Sequence, residues 1–289
     1  MAATNYAILD APTREFMAHM QLKYPTERET NELLVRKLER RTSQTQDYHV
    51  PRLSEMEQWI HAFFTANLDA PFHITHPRWL AGGASKLQVL FEIEWQQAGK
   101  ARQDRMVVRM DPAESHNATS RLREAELLRA FRGVIPVPEV FFVDEQARWF
   151  PEPALIYAFS DGVTKPKTTA SGAVSGLGIR FGADLRAKLG PQFVEHLAKI
   201  HAFPIDSAGF TTMESPSTGT TEAAQLQLNR ARRVWEEDRG EDFPLMDVAV
   251  NWLSRNLPVL DQVSVIHGDY RSGNFLFDEA SARITTWLD

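Results

Sequence analysis

"VIHGDYRSGNFLFDEASARITTWLD", residues 265–289, sets an acid at Asp269, an amide five residues on at Asn274, and a second acid at Asp289. The stretch divides by its own chemistry. "SVI", ending at Ile266, and "FLF", from Phe275 to Phe277, are short β-like runs. "DEASAR" reads as a turn, and "ITTWL" completes a small hairpin that delivers the chain to Asp289. Asp and Asn in a glycine-containing loop are often no more than turn formers, so the pattern gains meaning only from what stands upstream.

His267, Asp269 and Asn274 fit H-x-D-x-x-x-x-N, the spacing of a kinase catalytic loop. The spacing has a mechanical reason. An acid at the end of a short strand can accept the proton of an attacking hydroxyl, and a tight loop then brings the asparagine oxygen toward a magnesium ion held by nucleotide phosphates. A carboxylate beyond the hairpin, at Asp289, supplies the hard oxygen that magnesium prefers.

Such chemistry needs a strand-borne cation for the phosphates and an acid on the following helix to hold it. "VVRM" offers Arg109, with arginine where lysine is usual. The helical run "SRLREAELLRAF" carries Glu124, Leu127, Leu128 and Phe131 on one face. A charge on an apolar stripe is costly unless paired, and Arg109 is its natural partner; Glu126 points away from that stripe. "LAGGASKLQV" precedes the strand "KLQVLFEIEW", whose apolar residues alternate, and Gly82, Gly83 and Ser85 there would let backbone N–H groups approach phosphate. A Gly-Gly turn in a hairpin is by itself more often structural.

The rest of the chain bounds the reading. A net charge of −6 argues against nucleic acid as the main partner. The absence of cysteine removes disulfides, thiolate metal sites and cysteine nucleophiles. No apolar run approaches a membrane span and no secretion signal opens the sequence, so a cytoplasmic protein is expected. Residues 1–76 read as helical, with a capping box at Ser54 and Glu57. "FHITHP" reads as an extended loop, and His73 and His76 in it are not assigned to a zinc site. Four β-like runs broken by one helix predict an antiparallel sheet. Beyond residue 160 the chain is helical and loop-rich. "TTASGAVSGLGIRFG" lacks the Gly-Lys-Ser/Thr ending of a phosphate-binding loop, and His201 reads as a buried core residue on the stripe of Phe193, Val194 and Leu197.

The ordered set "LAGGASKL", "VVRM", "REAELLRAF", "VIPVPEVFFV", "LAKIHAF", "NWLSRNLP" and "VIHGDYRSGNFLFD…ITTWLD" resembles the aminoglycoside phosphotransferase-like kinases. It is most similar to the branch of kinase-like domains fused to some acyl-CoA dehydrogenases. The resemblance covers residues 78–289. It implies an α+β, bilobal protein-kinase-like fold: a helical N-terminal extension over 1–76, an N-lobe over 77–160 and a C-lobe over 161–289. Relatives continue through further helices, so the C-lobe is expected to be truncated after Asp289, with activity impaired in the chain as it stands. It also implies ATP or GTP with Mg2+ as cofactors, and a small molecule with an acceptor hydroxyl, aminoglycoside-like or hydroxyacyl-type, as partner. Nucleic acid and membranes are not expected, and oligomeric state is left open. Asp269 would be the base and Arg271 would touch the transferring phosphoryl group. Asn274 and Asp289 would bind magnesium, while Arg109, held by Glu124, would grip phosphates. Backbone groups from Tyr157 through Ala158 to Ser160 would meet the adenine. His267 is expected to pack beneath the metal-binding acid. The rival reading is a catalytically silent nucleotide-binding or interaction module of the same fold; a metal-dependent phosphoesterase leaves Arg109 and Glu124 without a task.

Overall fold

The computed structural model describes residues 6–43, 50–80, 86–112, 119–166 and 181–288. Its chain forms two compact units that interleave in sequence: one from residues 1–48, 118–120 and 209–263, the other from 49–117, 121–208 and 264–289. The first 76 residues are therefore divided between the two units.

The first unit is helical: α1 (Ala7–Asp10), α2 (Arg14–Lys23) and α3 (Arg28–Ser43) belong with α7 (Glu222–Asp238) and α8 (Pro244–Arg255). Thr30, Leu34 and Leu38 recur every four residues and give α3 its buried stripe. The interior is also charged. Arg233 and Glu237 are fully buried one turn apart on α7, Nε to Oε1 at 2.6 Å, and Arg233 also donates to Asn31 of α3. Arg41 of α3 donates to Asp238 at 2.7 Å and to the Glu237 carbonyl at 2.9 Å. Burial pushes the Glu237 carboxyl up, against the pull of Arg233. On α8, where Pro244 stands in the first turn, Leu245, Val248 and Trp252 line an exposed stripe.

The second unit holds α4 (Leu53–Asn67), β1 (His73–Trp79), β2 (Leu87–Gln97), β3 (Lys100–Met110), α5 (Arg121–Phe131), β4 (Val140–Asp144), β5 (Ala154–Ala158), α6 (Ala183–His201), β6 (Phe275–Asp278) and β7 (Arg283–Trp287). The first five strands make one antiparallel sheet in the order β1-β2-β3-β5-β4, and β6 and β7 pair as a separate hairpin. Ala98 and Gly99, both at positive φ, close the β2–β3 hairpin with Gln97 opposite Lys100, the two-residue turn whose twist matches its strands. That turn fixes which side chains share a face. Val89, Phe91, Ile93 and Trp95 of β2 and Met106, Val108 and Met110 of β3 pack on Met56, Ile60, Phe63 and Phe64 of α4. The other face carries Leu90, Val107, Leu155 and Tyr157 against Ala125 and Leu128 of α5.

Several local expectations change. "FHITHP" is part of the edge strand β1, not a loop: Pro77 sits beside a register shift between Thr75 and Arg78, with His76 at positive φ. An edge strand tolerates a proline and a bulge, which is why the apolar alternation is missing. α4 begins before Ser54, and Glu55 accepts the Arg52 N–H at 2.7 Å in place of a Ser54–Glu57 box. "SVI" is not a strand. His201 ends α6 exposed, and Val194 is exposed as well; the buried residues of α6 are Leu189 and Ile200. Most of "TTASGAVSGLGIRFG" lies outside the described residues.

Breaking one half of a buried ion pair strands the other charge. Arg233→Met is expected to cost the first unit about 3–5 kcal/mol, and Arg233→Met with Glu237→Leu to recover most of it. Hydrogen exchange of α3 and α7 under mild urea measures both.

Candidate active site

The site is assembled on the second unit from the α5-facing side of the sheet and from the C-terminal hairpin. Arg109 lies opposite Gln88 on β2 and Leu155 on β5. Its side chain is 5% exposed, and its Nε forms a 3.3 Å ion pair with Glu124 Oε1 of α5. The Tyr157 hydroxyl, also buried, donates to Gln88 at 3.3 Å. Burial disfavours charge on Arg109, but Glu124 and the Tyr157 oxygen outweigh it and hold the guanidinium above its ordinary pKa; burial lifts the Tyr157 phenol.

From Arg109 an unbroken chain of contacts reaches the catalytic-loop sequence. Arg109 Nη1 donates to the Leu288 carbonyl at 3.0 Å. The Leu288 N–H donates to the Asn274 carbonyl at 3.0 Å. Asn274 Nδ2 in turn donates to both the main-chain carbonyl and Oδ2 of Asp269, each at 2.9 Å. The Asn274 side chain is buried, and with Nδ2 turned to Asp269 its Oδ1 is the atom left to meet a cation. Asp269 is mostly exposed, with Arg271 Nε donating to its two carboxylate oxygens at 2.9 and 2.8 Å. The bond from Arg271 chiefly holds the Asp269 carboxyl below the usual carboxylate range; burial opposes it, and the bond from Asn274 adds to the lowering.

Aromatic packing supports the loop from beneath. Tyr270 stacks on Trp287 at 4.2 Å between centroids and donates through its hydroxyl to the Phe193 carbonyl of α6. Trp287 Nε1 donates to His196 Nδ1 at 3.0 Å, so His196 is the structural histidine of α6. His267 packs edge-on against the rings of Tyr270 and Trp287, and burial lowers its pKa, which favours a neutral ring.

The segment after β5 is fastened to the same hairpin. Ser160 Oγ accepts from Thr286 Oγ1 at 2.9 Å, the Asp161 carbonyl accepts from Thr285, and Val163 and Phe277 exchange two backbone bonds of 3.0 Å. Gly162, at φ +144°, makes this approach possible: a Cβ there would lie 2.9 Å from Leu276 Cβ and from Thr285 Oγ1. Of the backbone groups expected at the adenine, the Ala158 N–H is bonded to the Glu139 carbonyl at 2.8 Å, and Tyr157 is paired on both sides within the sheet. Gly82, Gly83, Ser85 and Asp289 lie outside the described residues. Among those described, no three acids or histidines cluster to hold a metal, and no helix is long and apolar enough to cross a membrane.

Sequence reasoning did not reach Lys86, Asp111 and Arg121. Arg121 bonds Glu124 Oε2 from one turn earlier on α5 and lies 3.7 Å from Asp111, which pairs with Lys86. The signal was the hairpin register: Leu87 opposite Met110 places Lys86 beside Asp111 one step further on.

Residues 80–289 match the model of the APH phosphotransferase enzyme family. The chain is 31% identical over 97 residues to acyl-CoA dehydrogenase family member 11 of Gallus gallus, covering 33% of this chain and 12% of that protein. The Homo sapiens counterpart is 30% identical over 97 residues, again 33% of this chain and 12% of the relative. The matched stretch is thus about an eighth of those relatives. A crystal structure from Ralstonia eutropha, provisionally described as an aminoglycoside phosphotransferase, superposes with a TM-score of 0.53 at 19% identity, over 81% of this chain and 64% of that one. The α+β, kinase-like fold is the same.

Gly162→Ala combines a disfavoured φ with a steric overlap, whereas Gly133→Ala, at φ +85° with nothing near its Cβ, meets only the first. Gly162→Ala is expected to lose about 1–3 kcal/mol more than Gly133→Ala, read as the difference in urea midpoints.

Proposed function

Because the chain belongs to the APH phosphotransferase enzyme family, we propose that it transfers the terminal phosphoryl group of ATP or GTP to a hydroxyl of a small molecule. The observation that carries this reading is the contact chain from Glu124 through Arg109 and Leu288 to Asn274 and Asp269. It brings a paired, buried cation and a proton-accepting acid into one neighbourhood, as phosphoryl transfer requires.

The roles follow from the side chains. Arg109 keeps a fixed charge and a fork of donors for nucleotide phosphates, with Glu124 setting its orientation. Asp269 is ionised at neutral pH and orients the acceptor hydroxyl. A depressed pKa makes it a weak base, which suffices when bond breaking leads and the proton is taken late. Arg271, 42% exposed beside that acid, can swing toward the transferring phosphoryl group. Magnesium takes one or two protein oxygens alongside phosphate oxygens and water. Asn274 Oδ1 with Asp289 would fit that need, and the ion would neutralise charge on the phosphates. The acceptor class, aminoglycoside-like or hydroxyacyl-type, rests on the relatives, and a small cytosolic substrate is the expected partner.

Thermal shift with ATP and Mg2+ tests the site. Asp289→Ala is expected to remove the magnesium-dependent part of the shift. Asp269→Asn is expected to retain it while lowering turnover on the order of 10²–10⁴-fold. Nucleotide binding without transfer to any hydroxyl acceptor would favour the silent-module reading, and no shift with any nucleotide would overturn both. The acid limb of activity has a definite sign. Asp269 works ionised, so activity is present above its depressed pKa and lost as pH falls through it. Removing the cation with Arg271→Ala should move that limb to higher pH in a kcat–pH profile.

A further inference from the structure

Gln88 of β2 and Arg109 of β3 stand directly opposite each other in the hairpin register, so their side chains rise from the same, α5-facing side of the sheet. The backbone at Gln88 is held on both flanks, by β3 and by the Leu80 N–H, which donates to the Gln88 carbonyl at 3.0 Å. Its carboxamide is held as well. The Tyr157 side chain starts on β5, crosses β3 and donates its hydroxyl to Gln88 Oε1 at 3.3 Å. The phenol oxygen itself accepts from the Arg109 guanidinium. A reversed amide would leave the hydroxyl hydrogen without that acceptor, so the network fixes which end is which: oxygen toward Tyr157, NH2 away from it. Gln88 is only partly buried. Its Nε2 has no partner among the described residues and is not a buried orphan, so two N–H groups face solvent next to Arg109.

We propose that Gln88 is a further nucleotide-binding residue, its Nε2 donating to a phosphate oxygen alongside Arg109, with Tyr157 as the positioning residue that aims the amide. The proposal rests on the nucleotide reading above and extends it to a side chain outside the H-x-D-x-x-x-x-N, Arg109 and Glu124 set. The chemistry selects the ligand. With Oε1 taken, the group presents donors only, and phosphate oxygens only accept. An uncharged donor also adjoins the guanidinium without the repulsion that a second cation would bring. A purely structural link from β5 to β2 uses the carboxamide oxygen alone and gives the outward N–H groups no task.

The test compares ATP with adenosine on the full chain, by calorimetry in the presence of Mg2+. Gln88→Leu removes the donors at similar bulk. It is expected to weaken ATP by about tenfold or more, the worth of one hydrogen bond to a charged group, and to leave adenosine unchanged. Gln88→Glu keeps the shape, sets an anionic oxygen against the phosphate and should weaken ATP further. Either variant binding ATP like wild type, or losing adenosine in the same proportion, overturns the inference and leaves the nucleotide reading intact. A wild-type chain that binds no nucleotide overturns both. Tyr157→Phe should cost ATP less in the Gln88→Leu protein than in wild type, because part of its effect passes through the amide; equal costs remove Tyr157 from the proposal and overturn it. Should the Gln88 variants not fold, 15N-glutamine spectra of the wild-type chain decide. ATP, but not adenosine, is expected to shift the Gln88 side-chain N–H resonances, and no shift, or the same shift with both ligands, sinks the proposal.

Discussion

A buried guanidinium that must be neutralised organises the candidate site. Arg109 could not sit on the inner face of a sheet without a carboxylate, and α5 exists in its place and phase partly to present Glu124 to it. Once so held, the same side chain has a donor left for the Leu288 carbonyl, and through that bond the sheet is joined to the hairpin that follows the Asp269–Asn274 loop. Displace Glu124 and the arginine seeks another partner; displace the arginine and the hairpin loses its bond to the sheet. Electrostatics, not apolar packing, links these two parts of the second unit at this point.

What could be read from the sequence was set by side-chain period and spacing. The alternation of Leu87, Val89, Phe91, Ile93 and Trp95 announced β2, and the α5 stripe singled out Glu124 over Glu126. The catalytic-loop spacing placed Asp269 beside Asn274. What escaped were interactions with no side-chain signature. The Leu288 carbonyl is a main-chain group and leaves no trace in residue type. β1 was missed because an edge strand carries little apolar alternation. His201 was misjudged because a stripe on a helix does not say which side of it the fold covers. The partition into units was also invisible: α1 to α3 share a unit with α7 and α8, nearly two hundred residues away, and the charged contacts of Arg41 and Arg233 that join them follow no local period.

The aromatic bed under the loop and the closure at Gly162 do the same job by different means. Tyr270, Trp287 and Phe193 lock the loop from below through ring packing and two directional bonds. Gly162 lets the segment after β5 press against the hairpin with no side chain between. Catalysis in general demands close positioning of the reacting groups, and both supports restrain the backbone on either side of the Asp269–Asn274 loop.

The arginine at 109 also constrains which side chains its position can accept. Its guanidinium forms an ion pair with Glu124 and donates through Nη1 to the Leu288 carbonyl. A lysine concentrates its donors on one nitrogen. A lysine at this position would have to reach both partners from that single nitrogen, and a partner it failed to reach would be left buried and unanswered. The position therefore asks for more than a positive charge: it asks for the spread of a guanidinium.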